Sequence, residues 1–197
     1  MNEQLTRRPA TYQDVLDAPP NMVAELVRGA LHLHPRPASL HAYAGSMHGV
    51  RVGSPFHEGE GGPGGWWIID EPELHLGEDV LVPDLGGWRR ERMPEYPDAP
   101  WFGLAPDWVC EVLSPGTRRL GLTAKREIYG ASVVGHLWFV DPAARTLDAF
   151  ELRGGVWAGG GAQGRRRGAG AAVRGGGLLA RGALARLIPW RRSCSII

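Results

Sequence analysis

The sequence predicts a mixed α/β (α+β) domain with its elements in the order helix, strands, helix, strands. Two observations carry that expectation. DWVCEVLSP (107–115) and HLWFVDP (136–142) are short, mostly apolar runs of β-formers, the pattern of strands buried on both faces. Between them, LTAKREIYGA (122–131) has the length and spacing of a helix of about three turns. A third observation marks where the domain stops. Residues 154–197 contain 12 Gly, 8 Ala and 8 Arg, a composition that buries little apolar surface and spends much backbone entropy. The folded unit is therefore expected over residues 1–157. Residues 158–197 are expected to form a disordered tail, weakly helical at most over LLARGALARLIPW (178–190), where Gly182 interrupts.

The other elements follow in order. Thr11 can cap a short helix, TYQDVLDAP, which Pro19-Pro20 ends. AELVRGALHLHP (24–35) reads as two strands around a turn at Arg28-Gly29. Ser39 to about Val52 reads as a weak helix with a serine cap, and 53–65 as a glycine-rich loop. WWIIDEPELHL (66–76) holds strand pieces broken by Pro72. DVLVPDLGGW (79–88) reads as one strand with an internal proline, hence an edge or bulged strand. Residues 89–106 are loop, and TLDAFEL (146–152) pairs with 136–142 as a hairpin.

The formal net charge of +1 adds two unlike segments. Residues 1–151 hold all 21 Asp and Glu against 13 Lys and Arg, a balance of −8, while residues 152–197 hold 9 Arg and no acid. No apolar run approaches the ~18 residues of a membrane-spanning helix. The start, MNEQLTRRPATYQD, has no apolar core after its charges and does not read as a secretory signal. Cys110 and Cys194 make no disulfide framework and no CxxC pair. A cytoplasmic protein without a membrane partner is expected.

Three residues stand out as chemistry. Asp84, in VLVPDL, and Glu111, in WVCEVL, are isolated carboxylates in apolar runs, where ionisation is expensive. Two such groups on neighbouring strands suit a hard cation such as Mg²⁺. Lys125 is the only lysine beside 21 arginines. A compact ammonium suits the orientation of water and the balancing of charge in a transition state. Ile128 and Tyr129, three and four residues on, turn its helix face toward the sheet. Carboxylates, a divalent ion and a lysine are the components of phosphodiester hydrolysis. Each also has a plainer reading. Asp84 can be a turn residue, Glu111 a core acid paired with Arg118, and Lys125 a surface lysine.

In these residues the chain resembles the PD-(D/E)XK nuclease superfamily and, within it, the Uma-two family of restriction-endonuclease-like proteins. The resemblance rests on VAELVRGALHLHPRPASLH (23–41), VLVPDLGGW (80–88), PDWVCEVLSPGTRRLGLTAKREIYG (106–130) and HLWFVDPAARTLDAFEL (136–152), which stand in family order. It implies a restriction-endonuclease-like mixed sheet flanked by helices, with the site at one end of the sheet. It implies Asp84, Glu111 and Lys125 as catalytic residues, with Asp84 and Glu111, and Glu25 as an extra acid, on Mg²⁺ or Mn²⁺. The usual lysine position two residues after the glutamate is here Leu113, and the family pattern moves the lysine to Lys125. DNA is the implied partner, and a homodimer is compatible. A catalytically inactive nucleic-acid-binding or assembly module on the same fold is the alternative function.

Arg118, Arg119, Arg89 and Arg90 are candidates for phosphate contact, with a solvated loop as the plainer reading of Arg89 and Arg90. Two departures stand out. Gly121 occupies a position where the family often has an acid. The segment after Trp157 lacks the family's closing strand and reads as a frameshifted GC-rich frame. The pairs His32/His34 and His41/His48 share strand and helix faces, but without a carboxylate or Cys at fitting spacing they read as surface or core residues. Cys110 reads as a packed core thiol on the strand face opposite Glu111.

Overall fold

The computed structural model describes residues 8–35, 38–116 and 118–163. The stretch expected to be weakly helical, 178–190, lies outside the described residues. Helix α1 (Tyr12–Leu16) starts at N-cap Thr11, whose N–H donates to Asp14 at 2.7 Å. Strands β1 (Met22–Val27) and β2 (Ala30–Pro35) form the expected hairpin. Its turn residues Arg28 and Gly29 both have positive φ, +52° and +73°, the mirror-image turn whose twist matches that of the strands. Helix α2 (Ser39–Val52) has Ala38 as its N-cap, so Ser39 begins the helix without capping it. The expected loop after it starts instead as a π-helical turn, Gly53–Glu58, closed by Gly59 at φ +79°.

Strands β3 (Trp66–Asp70), β4 (Leu74–Leu76), β5 (Asp79–Leu81), β6 (Leu85–Arg89) and β7 (Trp108–Val112) come next. The second helical segment is compound: α3 (Arg118–Leu120), a π turn Gly121–Lys125, and α4 (Arg126–Ala131). Strands β8 (His136–Asp141), β9 (Thr146–Arg153) and β10 (Val156–Gln163) follow.

Two sheets result. One is four-stranded, β2-β1-β5-β4, and the other six-stranded, β10-β9-β8-β7-β6-β3. The β7–β8 pair is parallel and the other pairs antiparallel, so the larger sheet is mixed. All five residues of β7 are buried, as its composition predicts. Trp108, Cys110 and Val112 pack with Ala44 and Val52 of α2. Val109 packs on the opposite side with Ile128 and Tyr129 of α4 and with Val27, Leu76 and Leu81 of the smaller sheet. The larger sheet therefore lies between α2 and a layer made of α4 and the smaller sheet. Helix α1 covers the outer face of the smaller sheet through Val15, Leu26 and Val80.

Two expectations need correction. Residues 79–88 are two strands in different sheets. Pro83 has no N–H to give a ladder, so pairing stops at Leu81 and resumes at Leu85 with new partners. The glycine-rich start of the tail is also ordered. Strand β10 pairs with β9 along its whole length to Gln163, past the boundary expected at Trp157. Gly159, at φ +146°, has no room for a side chain: a Cβ there would stand 2.2 Å from the Ala149 carbonyl oxygen. A composition that reads as disorder is here a close backbone approach.

Candidate active site

The site lies where the two sheets meet, and three elements build it. Strand β1 carries Glu25 inward, because Glu25 and Val27 share the face opposite Ala24 and Leu26. Glu111 is on β7, on the α4 side of the larger sheet, and Cys110 is on the α2 side, as the alternation requires. Asp84 belongs to neither sheet. It occupies the bend after Pro83, where the chain crosses from β5 to β6.

Lys125 closes the π turn, a widened helical turn of a kind that recurs at functional sites. Its ammonium is buried at 4% exposure and stands 2.8 Å from Glu25 Oε1 and 2.6 Å from Glu111 Oε1. It also approaches the Val82 carbonyl at 3.5 Å. The surface-lysine reading therefore fails, and Glu111 has Lys125 rather than Arg118 as its cationic partner. Arg118 pairs with Asp141. Tyr129, one helical turn after Lys125, donates its hydroxyl to Glu111 Oε1 at 2.5 Å. Val82 N–H donates to Glu25 Oε1 at 2.7 Å, and Val112 N–H donates to Asp84 Oδ2 at 2.6 Å.

Two carboxylates thus share one ammonium, with Asp84 feeling its charge without contact, and their titration reflects the imbalance. Burial alone would raise Glu25, but the Lys125 charge and the hydrogen bonds around it hold it below the usual carboxylate range. Burial lifts Asp84 to about 6, against the pull of the Val112 N–H and Lys125. Glu111 is also pushed up, first by burial and then by its carboxylate neighbours Glu25 and Asp84, with Lys125 opposing. Lys125 is stabilised as a cation, because the two glutamates outweigh its desolvation. Ionised together, these groups leave negative charge buried at Asp84 and Glu111.

That surplus and an all-oxygen donor set fit a hard divalent cation. Among the described residues, no group of three or more His, Cys, Asp and Glu side chains has the geometry to hold a metal ion. An ion that takes one or two carboxylates and completes its shell with water and substrate oxygens, as Mg²⁺ commonly does, needs no such group. Glu25 stands in the role of partner to Lys125.

The arginines divide. Arg118 and Arg119 open the helical segment that carries Lys125. Arg89 closes β6, a strand's length of about 16 Å from its Asp84 end. Arg89 lies over the Trp66 ring and Arg90 over the Trp67 ring, with centroid distances of 5.3 and 4.1 Å. Arg90 also donates to the His57 carbonyl. Those two are not gathered with the carboxylates. At Gly121 a Cβ would meet Leu113 and Phe139 at 3.6 and 3.8 Å, an apolar surrounding. In the sequence Tyr129 reads only as an apolar marker of the helix face. Its spacing of one turn from Lys125 was the available signal for a polar role.

Comparison with known proteins gives a consistent setting. The sequence model of the Uma2 family, described as "Putative restriction endonuclease", matches residues 9–167. The match takes in β10, so the expected loss of the family pattern after Trp157 does not hold for that strand. A crystal structure of a putative nuclease belonging to DUF820, from Anabaena variabilis ATCC 29413, superposes with a TM-score of 0.62. The sequences are 23% identical over 74% of this chain and 81% of that chain, a likeness of fold. No curated protein matches. No helix among the described residues is long and apolar enough to cross a membrane.

Proposed function

The chain belongs to the Uma2 family, and on that premise we propose that it is a Mg²⁺-dependent endonuclease hydrolysing DNA phosphodiester bonds. Asp84 and Glu111 hold the ion, and Lys125 stands beside the attacking water. One observation carries this reading: two buried carboxylates with raised proton affinity flank a buried lysine that contacts one of them at 2.6 Å. Structural ion pairs are usually matched in charge, and this cluster is left in deficit of positive charge.

A bound Mg²⁺ supplies Lewis-acid polarisation of the phosphate and lowers the pKa of a coordinated water. The protein supplies the rest. Lys125, fixed by Glu25 and Glu111, presents a charge that offsets the negative charge developing on phosphate. Tyr129 restricts Glu111 through its hydroxyl and leaves the other carboxylate oxygen for the ion. Arg118 and Arg119, at the opening of the same helical segment, contact the phosphate backbone nearest the site. Arg89 and Arg90 reach a more distant stretch. These contacts, with Mg²⁺, offset the acidic balance of residues 1–151.

The test is cleavage of supercoiled plasmid with Mg²⁺, with EDTA as control. Wild type is expected to nick the DNA, and Asp84→Ala and Lys125→Ala to lose that activity. Equal cleavage by all three would reject the assignment. The second reading, a non-catalytic nucleic-acid-binding module, is favoured by the lack of a three-ligand group among the described residues. Salt-sensitive DNA binding without metal uptake would select it.

A further inference from the structure

Helix α2 approaches the site from the other side of the larger sheet and brings one polar side chain to it. His41, in the first turn, has Nε2 2.7 Å from the Val112 carbonyl oxygen and 3.3 Å from Asp84 Oδ1. A carbonyl oxygen only accepts, so Nε2 carries the hydrogen. The other Asp84 oxygen accepts the Val112 N–H at 2.6 Å. Asp84, the Val112 peptide and His41 therefore close a ring of contacts: Val112 N–H donates to Asp84 Oδ2, His41 Nε2–H donates to the Val112 carbonyl, and Asp84 Oδ1 lies 3.3 Å from that same Nε2 without taking its hydrogen. Val112 directly follows Glu111, so the same ring ties the Asp84 carboxylate to the backbone that carries Glu111. The side chains of His41 and Asp84 are only 15% and 17% exposed, which leaves little water to replace the imidazole.

We propose that His41 is a positioning residue of the metal site: it fixes the Val112 peptide whose N–H holds Asp84 Oδ2, and its ring stands against Oδ1. This rests on the reading of Asp84 and Glu111 as its ligands. The other histidines provide the contrast. His48, seven residues on, turns to the Ala44 carbonyl of its own helix at 2.8 Å. His34 stands 3.3 Å from Glu25 Oε2, but Glu25 is already fixed by Lys125 and Val82. Asp84 has no such lysine contact; its Oδ2 is held by the Val112 N–H, and His41 fixes that peptide. Partners of this kind, bonded to a ligand rather than to the ion, typically change metal affinity by about 10–100-fold when removed.

The experiment is calorimetric titration of Mn²⁺ into the full-length protein without DNA, beside thermal melts of the same samples. His41→Ala is expected to weaken binding by about 10–100-fold. His41→Gln, whose amide N–H reaches a similar distance, is expected to recover most of it. His48→Ala is expected to lower the melting temperature and leave Mn²⁺ affinity unchanged. If His41→Ala unfolds, the Gln variant is compared with a His41→Met variant, which fills the space without a donor. Wild-type or tighter affinity in the variants lacking the donor, with binding still abolished by Asp84→Ala, overturns the role of His41 alone. Unchanged binding by Asp84→Ala and Glu111→Ala overturns the metal reading beneath it.

Discussion

Replacing Asp84 with asparagine should stabilise the metal-free protein while removing its ability to hold the ion. Burial lifts the Asp84 carboxyl from an ordinary value of 3.8 to about 6. The folded state therefore binds this proton more tightly than the unfolded chain does. Stability from this group is full below its unfolded pKa, declines as pH rises from 3.8 to about 6, and is level above that. The decline amounts to about 3 kcal/mol. Asparagine carries no charge and keeps an oxygen for the Val112 N–H. Its amide group takes the place of Oδ1 beside the His41 ring without a carboxylate's attraction for it, so about 3 kcal/mol is an upper bound. The assay is urea unfolding in EDTA across pH 4.5 to 8. The expected result is a gap in favour of the variant that opens with rising pH and levels off at neutrality. A variant less stable than wild type at pH 8, or a gap that does not change with pH, would refute the reasoning.

Lys125→Met should act in the opposite sense. It leaves Glu25 and Glu111 buried without their cation, a loss of about 3–5 kcal/mol at neutral pH. That loss should shrink as pH falls and Glu25 takes up a proton, which denaturation at pH 7 and pH 4.5 would reveal. Gly159→Ala should lower the melting point of the whole domain, because its Cβ would stand 2.2 Å from a carbonyl oxygen of the partner strand. A thermal melt within about 1 °C of wild type, less than ~0.5 kcal/mol at this size, would mean that β10 is not held against β9 in solution.

The parts of the fold legible in the sequence are those where local pattern and tertiary environment agree. β7 and β8 read as buried strands because both faces of each are covered. The hairpin β1–β2 was legible because Arg28-Gly29 supplies the left-handed turn it needs. The break at Pro83 was visible, but not that it separates two sheets, since the proline only ends pairing and does not choose the next partner. β10 was hidden because backbone pairing asks nothing of side chains, and glycine gives no pattern to read. In the site, Asp84, Glu111 and Lys125 were found as polar exceptions in apolar runs. Glu25 was found through family resemblance, yet its distance to Lys125 comes only from the packing of β1 against the π turn. His41 reads from spacing as a core or surface residue, because its partners, Asp84 and Val112, lie on other elements that spacing along a helix cannot report.

The central claim is that Asp84 and Glu111 hold a divalent ion beside Lys125. Anomalous diffraction from crystals of the protein soaked in Mn²⁺ tests it most directly. The expected result is a peak within about 2.2 Å of an oxygen of Asp84 and an oxygen of Glu111, with Lys125 still on Glu111. A peak on His32 and His34 instead, or none between the two carboxylates, would contradict it.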